Sequence, residues 1–150
     1  MPGKMLTDGH EIHELLMAAV RVAVVGASSK PERPSYEIAA YLQQQGYQIV
    51  PVNPASGEIL GQPVVRSLRE IKQRVDIVDV FRNPADLDAT LVDDTLAIGA
   101  RVLWLQDGVV RDDLAKLAVE RGLLVAMDDC IKRRHAQLDY CEIPSRNNNR

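Results

Sequence analysis

Between an apolar run and a helical pattern the chain places Gly26, Ala27, Ser28 and Ser29, then Arg33 and Ser35. These residue types at this spacing suit the capture of an anion. Small side chains let a phosphate come close to the backbone, and the free N–H groups and positive dipole end of the next helix favour its charge. Arg33 adds a guanidinium fork for phosphate oxygens, or else stays solvated. The competing reading is tight strand-to-helix packing with Ser35 as an ordinary N-cap. The pattern is not a dinucleotide fingerprint, which reads G-x-G-x-x-G with an acidic residue about 20 positions onward for the ribose hydroxyls. Only Gly26 fits it, and the next apolar run closes on Pro51-Val52-Asn53-Pro54. Pro51, Asn53 and Pro54 read as a rigid turn whose Asn amide can meet a base or ribose, or serve as turn chemistry alone.

The elements that position these residues follow from hydrophobic periodicity. Apolar runs at 22–26, 49–52, 77–81, 102–105 and 123–127 are nearly continuous in Val, Ile and Leu, which suits strands of a parallel sheet covered on both faces. Helical patterns at 35–45, 84–98 and 111–121 alternate with them, and Gly46, Gly99 and Gly122 follow the three, as helix C-termini prefer. This β-α-β order predicts an α/β fold, a Rossmann-type doubly wound parallel sheet in a single domain. Residues 10–20 carry Ile12, Leu15, Leu16 and Ala19 at helical spacing, so residues 1–20 are read as an N-terminal helical segment ahead of the domain at 21–138. Residues 63–65 read as a short edge strand, Ser67 as the cap of a turn at 68–71, and 131–138 as a short helix before a tail at 139–150. Ligands of such sheets bind outside the carboxyl ends of the strands. That rule selects the loops at 26–35, 52–57, 81–86 and 105–108 as the walls of one groove.

Composition limits the alternatives. With 150 residues, 46% of them hydrophobic, the chain can bury a core of its own. No apolar run reaches the ~20 residues of a membrane span, and the first residues lack signal-peptide order, so a cytoplasmic protein without a membrane partner is expected. Cys130 and Cys141 are too few for a disulfide scaffold. A net charge of -3 gives no general attraction to nucleic acid, so an anionic ligand needs locally positive groups. His10 and His13 lack a third metal ligand, and the run Lys132 to His135 reads as a solvated helix face. No Ser-His-Asp or Cys-His arrangement is legible.

Several separated motifs, in one order from about residue 12 to 138, carry a resemblance: VAVVGAS, Arg33-x-Ser35, YLQQQGYQIVPVNP, EILG, VDIVDVFRNP, IGARVLWLQDG and MDDCIKRRHAQL. In these the chain resembles the stand-alone CoA-binding proteins, whose domain is similar to the N-terminal CoA-binding domain of succinyl-CoA synthetase α subunits. The resemblance implies a Rossmann-type domain holding the ADP portion of CoA or an acyl-CoA at the strand ends. Gly26, Ala27, Ser28 and Ser35 would then meet phosphate. Phe81 would pack on adenine, or lie in the core, and Arg82 would meet a phosphate, or pair with Asp79. Trp104 reads as core, Gln106 and Gly108 as partners of the pantetheine arm, and Cys130 as a neighbour of its thiol or a buried cysteine. The family carries Arg between the Asp and Cys of its MDxC motif and Glu before the late His; this chain has Asp129 and Arg134 there. The resemblance implies CoA binding without evident catalytic residues, alone, as a homodimer or beside an acyl-transfer enzyme. The rival readings are an NAD(P)-binding oxidoreductase or regulator, and an interaction module that responds to CoA.

Overall fold

Strands rich in Val, Ile and Leu with apolar side chains on both faces are stable only when both faces are covered, and the chain satisfies that demand with a three-layer α/β arrangement. The computed structural model describes residues 3–55 and 57–138. In chain order the elements are β1 (Lys4–Met5), α1 (Gly9–Ala18), β2 (Arg21–Val25), α2 (Pro34–Gln44), β3 (Gln48–Val52), β4 (Glu58–Ile59), β5 (Gln62–Pro63), β6 (Ile77–Val80), α3 (Ala89–Ala97), β7 (Val102–Leu105), α4 (Asp112–Glu120), β8 (Leu124–Ala126) and α5 (Ile131–Ala136). Six parallel strands form one sheet in the order β1-β8-β7-β6-β2-β3, and β4 and β5 form a separate antiparallel pair. Successive strand residues point to opposite faces: Val22, Val24, Ile77 and Trp104 pack with α1, α2 and α5, whereas Ala23, Val25, Val78 and Leu103 pack with α3 and α4. The fold is the expected single-domain Rossmann-type sheet. Strand order reverses between β2 and β6, so the loops leaving those neighbours diverge and open a crevice.

Three local readings need correction. The helical pattern at 84–98 is interrupted: Pro84–Asp86 forms a 3-10 turn, and a new helix, α3, starts at Ala89. The Asp88 carboxylate accepts the Thr90 N–H at 2.8 Å, and this local cap replaces helix continuation. The edge strand expected at 63–65 is divided. Pro63 belongs to the β4–β5 hairpin, while Val65 alone bridges β3, its N–H on the Pro51 carbonyl and its own carbonyl on the Asn53 N–H. The N-terminal segment also contributes β1, which pairs with β8 through Lys4 and Leu124. Two residues are too short a run for periodicity to register. The tail at 139–150, with Cys141, lies outside the described residues.

On β6, Asp79 lies in the row Val24–Asp79–Trp104 on the α1, α2 and α5 face. It is fully buried, and neither carboxyl oxygen has a hydrogen-bond partner among the described residues. The Asp79–Arg82 pair weighed from the sequence does not form, because Arg82 is exposed. Desolvation pushes the Asp79 carboxyl well above its ordinary range, which keeps it neutral in the core. Between the ordinary value and the raised one, the folded chain holds a proton that the unfolded chain has lost. Rising pH therefore costs about 1.4 kcal/mol of stability per pH unit in that window. Asp79→Asn should match the parent chain near pH 4 and melt at a higher temperature near pH 8. Parallel melting-temperature profiles for the two proteins would remove Asp79 as the source.

Candidate functional site

The crevice begins at Gly26, which ends β2 with a φ of 83°, a left-handed conformation that costs other residues roughly 1–2 kcal/mol. A Cβ there would stand 3.0 Å from the Arg82 Cγ and 3.3 Å from the Phe81 carbonyl carbon. Glycine thus lets the loops after β2 and β6 touch. The N–H groups of Gly26 and Ala27 both donate to the Val52 carbonyl, at 3.0 and 3.3 Å. This corrects the expectation that these two amides face a phosphate. Free donors begin one residue later: the N–H groups of Ser28, Ser29 and Ser35 take no acceptor among the described residues. Ser35 is buried at the second position of α2, behind Pro34, and the N-cap is Arg33. It is therefore not the cap that the structural reading proposed.

Asn53 fastens this loop to the next one. Its Nδ2 donates to the Ala27 carbonyl at 2.7 Å and its Oδ1 accepts the Ala55 N–H at 2.8 Å. The amide expected to meet a base or ribose thus makes one bond to the protein at each atom, and Asn53 borders the cavity. Pro51 is not in a turn; it is buried within β3. Its carbonyl faces Val65, so its missing N–H falls on the side away from β2, where proline is tolerated at a sheet edge. Pro54 is exposed beyond it.

These loops enclose a cavity of about 610 Å³ at the strand ends. Of the expected residues, Gly26, Ala27, Ser28, Arg33 and Ser35 line it from the β2–α2 loop and the start of α2, Asn53 from the end of β3, and Phe81 and Gln106 from the ends of β6 and β7. Pro51, Pro54, Arg82, Gly108 and Cys130 do not line it. Gly108 donates its N–H to Asp128 at 2.8 Å, and Cys130 is buried in the core beneath α1, α2 and α5. Trp104 is core, as expected, with its Nε1 on the Asp129 carbonyl at 2.9 Å. Sequence reasoning missed Lys30, Glu58, Ile59, Val64, Asp107 and Val109, which also face the cavity. Lys30 stands three residues before Arg33 and gives a sequence signal; Glu58, Ile59 and Val64 arrive through the hairpin, whose placement no short-range pattern encodes. Lys30 and Arg33 are exposed, and neither forms an ion pair among the described residues. Asp107 differs, since two hydrogen bonds from Arg133, at 3.0 and 3.1 Å, hold its carboxyl below the usual carboxylate range. The arrangement can accept a polyanion against α2 and an uncharged polar segment beside Gln106.

Residues 20–136 match the CoA binding domain family. The chain belongs to this family. It is 42% identical over 126 residues to YneT of Bacillus subtilis, an uncharacterised protein, covering 84% of this chain and 93% of that one. A solved structure from Thermus thermophilus superposes with a TM-score of 0.84 at 36% identity, covering 89% of this chain and all of the other. A 73-residue stretch is 32% identical to the α subunit of an ADP-forming acetate–CoA ligase from Pyrococcus furiosus, 48% of this chain and 16% of that subunit. Within the family, the two departures noted above meet each other. Arg134 Nε lies 2.9 Å from Asp129 Oδ2, and the Asp129 side chain is only 13% exposed. An ion pair joins them.

Gly26→Ala should lower stability by about 1–3 kcal/mol, combining left-handed strain with a forced shift against Phe81 and Arg82. Denaturant unfolding checks this; a loss below about 0.5 kcal/mol would mean that the two loops are free to part.

Proposed function

We propose that this chain binds CoA or an acyl-CoA in the cavity at the β2–β6 reversal, with the diphosphate against the start of α2. The observation that carries this reading is the convergence of unused donors on one wall: the N–H groups of Ser28, Ser29 and Ser35 with the cations Lys30 and Arg33. Helix N-termini and unpaired cations favour phosphate together, by dipole and by charge. Membership of the CoA-binding domain family supports the choice of CoA among phosphate-bearing ligands. Apolar Ile59 and Val64 on one side of the cavity suit the adenine, and Gln106 on the other suits the amides of pantetheine.

An NAD(P) reading is weaker. The ribose carboxylate of that class stands at the end of the second strand of the βαβ unit, where this chain has the neutral Asn53, whose Nδ2 and Oδ1 each make one hydrogen bond within the protein. Glu58 reaches the cavity from the hairpin instead. No His or Cys lines the cavity among the described residues, so the reading is one of binding, with no reaction assigned. The similarity to a ligase α subunit supports a role beside an acyl-transfer enzyme as a second reading. No helix among the described residues is long and apolar enough to cross a membrane; a cytoplasmic setting accords with CoA as the ligand.

Thermal unfolding tests the ligand directly. CoA at 100 times its dissociation constant should add about 2.7 kcal/mol of stability, and NAD at the same concentration should leave the melting temperature unchanged. Replacing Lys30 and Arg33 together by Ala should weaken CoA by at least about tenfold, since each charge-assisted hydrogen bond contributes about 1.5–3 kcal/mol. Arg82→Ala should leave affinity within about twofold, because Arg82 stands outside the cavity. A shift with NAD and none with CoA would overturn this reading.

A further inference from the structure

Two acids flank the place where an anion would sit, and both are compensated from one short helix. Asp107 lines the cavity itself, just past β7. Glu37 stands in the first turn of α2, two residues past Ser35, and its carboxylate draws on the same dipole end as an incoming phosphate. Lys132 Nζ lies 2.8 Å from Glu37 Oε1, with the ammonium 5.3 Å from the centre of the Tyr41 ring. Arg133 donates to both oxygens of Asp107, at 3.0 and 3.1 Å, and its Nη2 also donates to Asp129 Oδ1 at 3.2 Å. These two cations are consecutive residues of α5, and neighbours on a helix point about 100° apart. One therefore reaches α2 and the other the loop after β7. Neither cation lines the cavity. Glu58, which lines it from the hairpin, forms no ion pair among the described residues.

We propose that Lys132 and Arg133 set the affinity of this cavity for anions without touching the ligand, by neutralising Glu37 and Asp107. The proposal rests on the reading of the cavity as the site of a phosphate-bearing ligand, and adds that a second group of cations, outside the cavity, governs its charge balance. With an overall charge of -3, the chain has no general positive field for an anion to draw on. Lys30 and Arg33 supply local charge, and two uncompensated carboxylates at the same end of the sheet would offset it. Screening leaves a charge its reach over about 8 Å at physiological ionic strength, which takes in a carboxylate on the cavity and one within a helical turn of it. The Arg133 and Asp107 side chains are 51% and 54% exposed, and such pairs add little to folding. Their effect falls on binding rather than on stability. Lys132 and Arg133 are thus positioning residues, which act on the ligand through the acids they hold.

Charge rescue separates this role from that of a structural brace. Calorimetric titration with CoA at low ionic strength is the measurement, with thermal unfolding as the check on folding. Arg133→Ala and Lys132→Ala should each weaken CoA about three- to tenfold, while melting within a few degrees of the parent chain. Adding Asp107→Asn to the first and Glu37→Gln to the second should return affinity to within about twofold of the parent, since each removes the acid that the lost cation had covered. Asp107→Asn alone should bind CoA more tightly than the parent, because it removes one negative charge from the cavity. At high ionic strength these differences should shrink. Parent-like affinity in both single variants would overturn the proposal. So would weaker binding by Asp107→Asn, or a loss that neutralising the acid does not restore, because a brace stays broken in the double variants. A parent chain that binds no CoA would instead overturn the functional reading itself, and the proposal with it.

Discussion

The Val52 carbonyl is the point on which the site depends. It accepts from Gly26 and Ala27 at once, and that geometry is open to the chain only because Gly26 adopts a left-handed backbone conformation and lets the β6 loop lie against it. The turn leaving β2 is thereby tied to β3 on one side and packed on Phe81 and Arg82 on the other. Asn53 adds a second tie, to the Ala27 carbonyl. Ser28 and Ser29 are the first residues past these restraints; both line the cavity, and their N–H groups take no acceptor among the described residues. A rigid frame and free donors are adjacent because the frame uses up its own amides first.

The charge pattern follows from the same economy of partners. The chain is acidic overall, at -3, so anion binding depends on local fields rather than on net charge. Most basic groups near the strand ends are engaged: Arg133 with Asp107 and Asp129, Arg134 with Asp129, Lys132 with Glu37 and Arg111 with Asp113. Lys30 and Arg33 line the cavity without such partners among the described residues. Exposed ion pairs stabilise a fold little, so the exposed pairs matter less for folding than for deciding which cations stay available to a ligand.

The β-α-β order, the two-faced burial and a cavity at the strand ends are legible because long, periodic segments state the first two directly and the strand-end rule the third. Gly26, Ala27, Ser28, Arg33, Ser35, Asn53, Phe81 and Gln106, singled out by rule and by resemblance, all border the cavity. What the sequence did not disclose depends on contacts distant along the chain. Whether an amide is free depends on its acceptor, and Gly26 and Ala27 find theirs on Val52. Pro51 reads as turn chemistry until Val65 pairs with its outer side. Cys130 follows a strand end, as a site residue should, yet its side chain turns into the core under α5. The helix break at Asp88 is within reach of sequence, because an Asp directly ahead of an apolar-periodic run is an N-cap signal.

The central claim is that a phosphate-bearing nucleotide sits on the amides beyond the Val52 tie. Backbone amide shifts in a nuclear magnetic resonance titration with CoA read those groups one by one. The account predicts saturable changes that are largest at Ser28, Ser29 and Ser35, with Gly26 and Ala27 moving less because their hydrogens stay on Val52. Changes centred on another face of the sheet, or none at millimolar CoA, would contradict it.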